Sequence, residues 1–302
     1  MSTDVTYTFR VAEQLFTLTG REQWLMAVSN LAPFRVPTEL YADADRRFAV
    51  TMVETACFDD PPSGYEHFIT DRPEPDMPRI EVYRTADEWL FRIAQTADAA
   101  VCCVMRMDKA FQQATLAVIE DAPYRTLRFA IDNATMLLFA FATAHEHILE
   151  MHASVVVHEG RAWLFLGRSG TGKSTHARQW LALFHQAYLL NDDNPVLRVD
   201  DEGKVWVYGT PWSGKTPCYR NEHVPVAAIV QLEQAPQNTI LDLSPAQAYA
   251  FMLSSCSGMK IQHEAMDGIH DTISRIVLSV TMKKLQCQPD KAAAQLCYDS
   301  TR

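Results

Sequence analysis

Short runs that alternate apolar and polar residues recur through the first half of the chain. They are Tyr7–Thr17, Phe48–Val53, Arg79–Tyr83, Trp89–Ile93, Val101–Met107 and Thr115–Val118. A period of two puts every second side chain on one face, so each run predicts a strand, and their spacing predicts an antiparallel sheet or a small sandwich. The stretch Asp59–Pro78, rich in Pro, Asp and Glu, predicts a loop among them. The period then changes. Ala134, Leu137, Leu138, Phe141, His145 and Ile148 recur at helical spacing, which predicts a helix over Asp132–Glu150 that bridges two domains, residues 1–150 and 151–302.

The second half mixes the two periods. Ala153–Val157 and Ala162–Leu166 predict strands joined by the turn His158-Glu159-Gly160-Arg161. A helix and the strands Tyr188–Leu190, Val196–Val199, Val205–Tyr208 and Ala227–Leu232 follow. Ser244-Pro245-Ala246 opens another helix, with an N-cap serine ahead of a proline at the first helical position. A helical stretch over Glu264–Val280, a strand Lys283–Cys287 and a helix led in by Pro289-Asp290 close the chain. The fold class is thus α/β in this half and α+β overall, with a β-rich domain in front.

Chemistry first enters at the junction of a strand and a helix. Gly167-Arg168-Ser169-Gly170-Thr171-Gly172-Lys173-Ser174 matches the Walker A pattern. In that pattern glycines let backbone N–H groups curl around phosphate oxygens, the lysine neutralises the β- and γ-phosphates, and the hydroxyl ligates Mg²⁺. The candidate nucleotide contacts are therefore Gly167, Ser169, Gly170, Thr171, Gly172, Lys173, Ser174 and Thr175. The pattern occurs a second time, at Gly209-Thr210-Pro211-Trp212-Ser213-Gly214-Lys215-Thr216. Context separates the two. The first follows the apolar strand Ala162–Leu166 and precedes a helix with Ala177, Trp180, Leu181 and Phe184 on one face, so a helix N-terminus points at the phosphates. The second runs into Pro217-Cys218-Tyr219-Arg220, with no apolar helical face. It reads as a turn at a strand end, or as a loop offering Trp212 and Lys215 to the acceptor side of a phosphate site.

After the first loop's helix comes Tyr188-Leu189-Leu190-Asn191-Asp192-Asp193-Asn194-Pro195. A short apolar strand ending in acids is where a P-loop fold holds its Mg²⁺ ligand, and two adjacent carboxylates can divide metal binding from proton transfer. The same residues would also make a good turn in any protein. His145 and His147, two apart on the predicted helix, point to different sides and make no metal pair.

Composition narrows the partners. The chain is 48% hydrophobic and 21% charged, with a formal net charge of -10, so it lacks the basic surface expected of a nucleic-acid or anionic-membrane binder. Its seven cysteines are odd in number and form no CxxC pair, which points to reduced thiols in the cytoplasm. The start shows no signal-peptide pattern, and the apolar run Met136–Ala144 is far short of the roughly 20 residues of a membrane span.

From Met151 to Val199 the chain resembles the catalytic domain of HPr kinase/phosphorylase, whose core is shared by ATP-dependent phosphoenolpyruvate carboxykinases. His152, then Gly167–Ser174, then Asp192-Asp193 carry that resemblance in order. Gly209–Thr216 stands where the family has an acidic, helical segment. The resemblance implies a compact P-loop core of mixed sheet and an ATP- and Mg²⁺-dependent kinase. Its acceptor would be a Ser/Thr-type hydroxyl on a small molecule, a peptide or a protein, and an oligomer stays open. It implies Asp192 as catalytic base, Ser174 and Asp193 as Mg²⁺ ligands, His152 beside the transferring phosphate and Lys173 following the phosphoryl group. Two other readings remain: a nucleotide-binding regulatory or adaptor protein without transfer activity, and a phosphoenolpyruvate-carboxykinase-like enzyme. Two variants separate the two glycine-rich loops. Lys173→Ala is expected to abolish ATP-Mg binding and Lys215→Ala to leave it nearly intact, as calorimetry will read; the reverse pattern would make the second loop the phosphate cradle.

Overall fold

The computed structural model describes residues 4–71, 75, 77–214, 216–260 and 262–302, with His263 in its backbone only. The chain divides into two compact units, Met1–Ala142 and Thr143–Arg302. The break falls ahead of residue 150 because the helix expected over Asp132–Glu150 ends at Ala142, and Ile148–Glu150 is already a strand of the second unit's sheet.

The first unit is one nine-stranded sheet with helices α1 (Glu22–Met26) and α2 (Tyr124–Ala142). Its strands are β1 (Asp4–Val11), β2 (Gln14–Arg21), β3 (Arg35–Val36), β4 (Arg46–Thr55), β5 (Glu66–Asp71), β6 (Arg79–Arg84), β7 (Glu88–Ala94), β8 (Val101–Asp108) and β9 (Gln113–Ile119). They lie in the order β3-β1-β2-β4-β9-β8-β7-β6-β5. The expected antiparallel sheet or sandwich is instead one mixed sheet, because β4 pairs parallel with both β2 and β9. The run Tyr7–Thr17 is two strands, not one. Ala12 and Glu13 both take positive φ (45° and 66°) and fold it into a tight hairpin. That conformation matches a two-residue turn of the primed type, which favours Asn-Gly, so Ala-Glu gives little warning of it. β5 falls inside the stretch expected to be a loop.

The second unit is built around β16 (His223–Gln234), whose neighbours are β15 (Val205–Tyr208), β12 (Arg161–Leu166) and β18 (Thr281–Cys287). β10 (Ile148–Glu150) and β14 (Val196–Val199) extend the sheet beyond β15, and β11 (Ala153–His158) and β13 (Tyr188–Asp193) extend it beyond β12. β17 (Thr239–Asp242) pairs with β18. The turn between β11 and β12 is the expected one, with Glu159 and Gly160 at φ 49° and 73°.

Both faces of this sheet are covered, which explains the unbroken apolar runs in β11 and β12. Val155, Val157, Leu164 and Leu166 pack on one side with Phe251 and Met252 of α4 (Pro245–Ser255) and Ile269, Ile273 and Ile276 of α5 (His263–Ser279). Val156, Trp163 and Phe165 point to the other side, against Ala177 and Trp180 of α3 (Lys173–Leu183) and Ala294 and Cys297 of α6 (Lys291–Asp299). Capping is local and legible: Ser244 accepts from the N–H of Gln247, and Asp290 from that of Ala293. No described helix is long and apolar enough to cross a membrane.

The segment after β15 folds back along the free edge of β13. The Gly209 N–H donates to the Glu222 carbonyl, and Arg220 Nε donates to the Leu189 carbonyl at 3.0 Å. A Cβ on Gly209 would stand 2.1 Å from the Arg220 carbonyl oxygen, so only glycine allows this approach. Gly209→Ala is expected to cost about 2 kcal/mol of stability, the scale of overpacking a close contact, read as a lowered urea midpoint at unchanged m-value.

Candidate functional site

Strand direction gathers the candidate residues. β11 is antiparallel to both β12 and β13, while β16 and β18 run parallel to β12. The C-terminal ends of β12, β13, β16 and β18 therefore share one edge, the usual place for ligands in such sheets. β12 ends there at Leu166 and β13 at the Asp192-Asp193 pair, and β11 begins there just after His152.

Gly167 to Gly172 form the loop that leaves β12. Gly170 and Gly172 take positive φ (78° and 99°), and Gly172 is the N-cap of α3, whose first turn holds Lys173, Ser174 and Thr175. A Cβ on Gly167 would meet Thr171 Oγ1 at 2.5 Å, whereas nothing lies within 4 Å of a Cβ on Gly170. The loop is thus tight at its root and open at its crest, beside exposed Ser169. Lys173 Nζ donates to the Gly167 and Arg168 carbonyls (3.0 and 3.5 Å), folded over its own loop. Burial pulls its pKa down, and the nearby Asp193 and Asp192 charges oppose that. From the neighbouring strand, Gln234 Nε2 donates to the Gly170 carbonyl (3.1 Å). Open clefts flank the loop. One of about 1040 Å³ runs past His152, Gln247 and Ser254, and one of about 650 Å³ past Thr175 and His176. The positive-φ glycines, the open crest and the bent-back lysine could receive a polyphosphate chain.

The second match to the pattern is built differently. No helix follows it among the described residues, and its glycines serve close approach. A Cβ on Gly214 would sit 2.9 Å from Asp193 Oδ2. Trp212 is buried at 4% exposure, so it is a packed residue rather than a free lid, and its carbonyl accepts from the Asn194 N–H (3.1 Å). β15 pairs antiparallel with its neighbours, yet its following loop still reaches the carboxylates. Lys215 lies outside the described residues.

The acid pair differs in setting. Asp192 stands opposite Ser154 in the antiparallel register, on the same face. Ser154 Oγ donates to Asp192 Oδ1 (2.5 Å) and Thr216 Oγ1 donates to Oδ2 (2.6 Å), so both carboxylate oxygens already accept a hydroxyl. Asp192 is 9% exposed. The next residue points the other way: Asp193 Oδ1 lies 3.1 Å from His152 Nδ1, with its side chain 32% exposed. His152 itself is held by its backbone N–H on the Ser255 carbonyl (2.8 Å). One acid is thus poised on hydroxyls, while the other, with Ser174 on the neighbouring helix turn, offers oxygen that could hold a hard cation. His145 and His147 lie beyond the end of α2 rather than on it; His147 Nδ1 faces Asp271 at 3.2 Å. No cluster of three metal-ligating side chains occurs among the described residues.

Three neighbours escaped the sequence reading. Ser154 looks like any strand serine, and only the register puts it on Asp192. Thr216 closes the second glycine-rich loop, where the sequence singles out Trp212 and Lys215 and nothing marks Thr216 as a partner of Asp192. Glu150 gave no signal at all. It is 2% exposed at the end of β10, and burial pushes its pKa up to about 8; Asp193 adds to the rise and Ser257 opposes it. An ordinary glutamate ionises near 4.5. Between those values the folded chain holds a proton that the unfolded chain has lost, so stability falls as pH rises through the window. Glu150→Gln is expected to flatten that fall and to exceed the parent above pH 8 by on the order of a few kcal/mol, measured by urea unfolding against pH.

Among solved structures, the Hpr(Ser) kinase/phosphatase from Coxiella burnetii matches over 50% of this chain and 95% of its own, with 11% identical residues and a TM-score of 0.29. No curated protein matches the sequence. Residues 116–280 of the 302 match the family described as SynChlorMet cassette protein ScmC, and since that is more than half of the sequence, the chain belongs to the SynChlorMet cassette protein ScmC family.

Proposed function

We propose that the second unit transfers the γ-phosphoryl group of ATP to a hydroxyl. The observation that carries this reading is Asp192, a carboxylate whose two oxygens both accept hydroxyl hydrogen bonds, in electrostatic reach of the lysine of a glycine-rich loop. A protein that only senses a nucleotide has no need of such a group. A hydroxyl bound at Asp192 Oδ2 gives up its proton there as it attacks. Lys173 leaves its loop carbonyls for the phosphates and follows the charge that builds on the transferring group. Ser174 and Asp193 are the residues that would hold Mg²⁺, which neutralises phosphate oxygens when bound. His152, on Asp193 Oδ1, orients that carboxylate from the side of the larger cleft. Positioning and charge account for most of phosphoryl transfer, so this small set is sufficient.

Within this reading the wide cleft past His152 and the glycine-rich loop takes a ligand on the Asp193 side of the acid pair. Its lining mixes Arg168, Gln247, Ser254 and Lys284 with the apolar Leu243 and Phe251, which fits a small polar molecule or a peptide side chain.

Asp192→Asn retains the shape and removes the proton acceptor. ATP binding is expected to persist in calorimetry while transfer to the best acceptor found among free serine, free threonine and peptides falls by about 10²-fold or more. Asp193→Asn is expected to raise the Mg²⁺ concentration needed for half-maximal rate. Full transfer activity in both variants would rule out the carboxylate mechanism.

A further inference from the structure

Two hydroxyls meet Asp192, and they differ in what they can do. Ser154 is 1% exposed, locked in a strand paired on both sides, with no room for a phosphoryl group. Thr216 is exposed, at the end of a loop that lies over the acid pair. That loop is held in place from several directions. Thr210 Oγ1 donates to the Asn194 carbonyl (2.6 Å), Ser213 Oγ donates to the Thr216 carbonyl (2.8 Å), and Gly214 packs on the Asp193 carboxylate. Thr216 therefore presents an aliphatic hydroxyl to the Asp192 oxygen at 2.6 Å, inside the reach required between a general base and the proton it takes. Lys173, whose Nζ bonds its own loop carbonyls, stands within electrostatic range of Asp193 and Asp192.

We propose that Thr216 is itself a phosphoryl acceptor, and that the chain phosphorylates this residue in cis. The inference rests on the phosphotransferase reading and names a substrate for it. The Thr216 Oγ1–Pγ bond forms, and the bond from Pγ to the β,γ-bridging oxygen breaks. ADP departs with that oxygen, and the Thr216 proton passes to Asp192 Oδ2, the atom it already faces. The product has a consequence for the loop. A phosphothreonine adds about −1.5 to −2 charge next to Asp192 and Asp193 and can no longer donate to Asp192, so like-charge repulsion drives the loop off the pair. The base then loses its Thr216 partner, and modification ends after one group per chain.

The test uses the full chain with Mg-ATP, read by intact mass, peptide mapping and ADP formation, beside calorimetry of ATP binding. One phosphoryl group per chain is expected, mapped to Thr216, at a first-order rate independent of protein concentration. The label is expected to vanish in Thr216→Val and Asp192→Asn, to persist in Ser213→Ala, and to return in Thr216→Ser, which also guards against a loop that has merely misfolded. A rate that grows with protein concentration would overturn transfer in cis. ADP formed with free serine, threonine or a peptide while Thr216 stays unmodified would overturn the inference and leave the phosphotransferase reading standing. Absence of ATP binding in the parent chain would overturn both, and ATP binding with no ADP and no label under any acceptor would do the same.

Discussion

Both faces of the sheet in the second unit are buried under helices, and that constraint shapes everything at the candidate site. A strand enclosed on two sides has no place for charge, since a buried ion without a partner costs several kcal/mol. The runs Ala153–Val157 and Ala162–Leu166 obey this, sending alternate residues into two separate cores. Charged and hydrogen-bonding groups are pushed to the strand ends. Because β12, β13, β16 and β18 run in one direction, their ends meet at a single edge, where Gly167, Asp192, Asp193 and Gln234 come together.

The acid pair shows how backbone geometry assigns roles to neighbours of the same type. Successive residues of a strand point to opposite sides. Asp192 turns toward Ser154 and the returning loop, and Asp193 turns toward His152. One carboxylate is thereby surrounded by hydroxyl donors and nearly buried, and the other is half open beside an imidazole. The second glycine-rich loop is held by contacts of another kind. Its two glycines serve close packing, Gly209 on the Arg220 carbonyl and the Leu190 side chain, and Gly214 on the Asp193 carboxylate. A cradle needs its N–H groups at a helix start, and no helix start follows this loop among the described residues.

Much of the architecture could be read from residues alone. Periodicity located β4, β6 to β9 and most elements of the second unit, and turn and cap chemistry placed the Glu159-Gly160 hairpin and the starts of α4 and α6. The misses share a cause. The Ala12-Glu13 turn carries no glycine or asparagine, and the end of α2 has no stop signal, so apolar spacing ran on into Ile148, which belongs to a strand. Whether β4 pairs parallel or antiparallel depends on how the chain crosses over, which no local pattern encodes.

The sequence by itself determined the strand–loop–helix unit at Gly167–Ser174, the acid pair after it, and their order along the chain, because each is a matter of local backbone preference and spacing. Only the tertiary structure decided what meets those residues. Ser154, Thr216 and Asp192 are separated by tens of residues and meet through strand register and a folded-back loop. Glu150 owes its raised pKa to burial beside Asp193 and not to any neighbour in sequence. Contacts of that range are set by how the sheet closes, and the physical reason they are illegible in advance is that a one-residue shift in register would send each side chain to the opposite face.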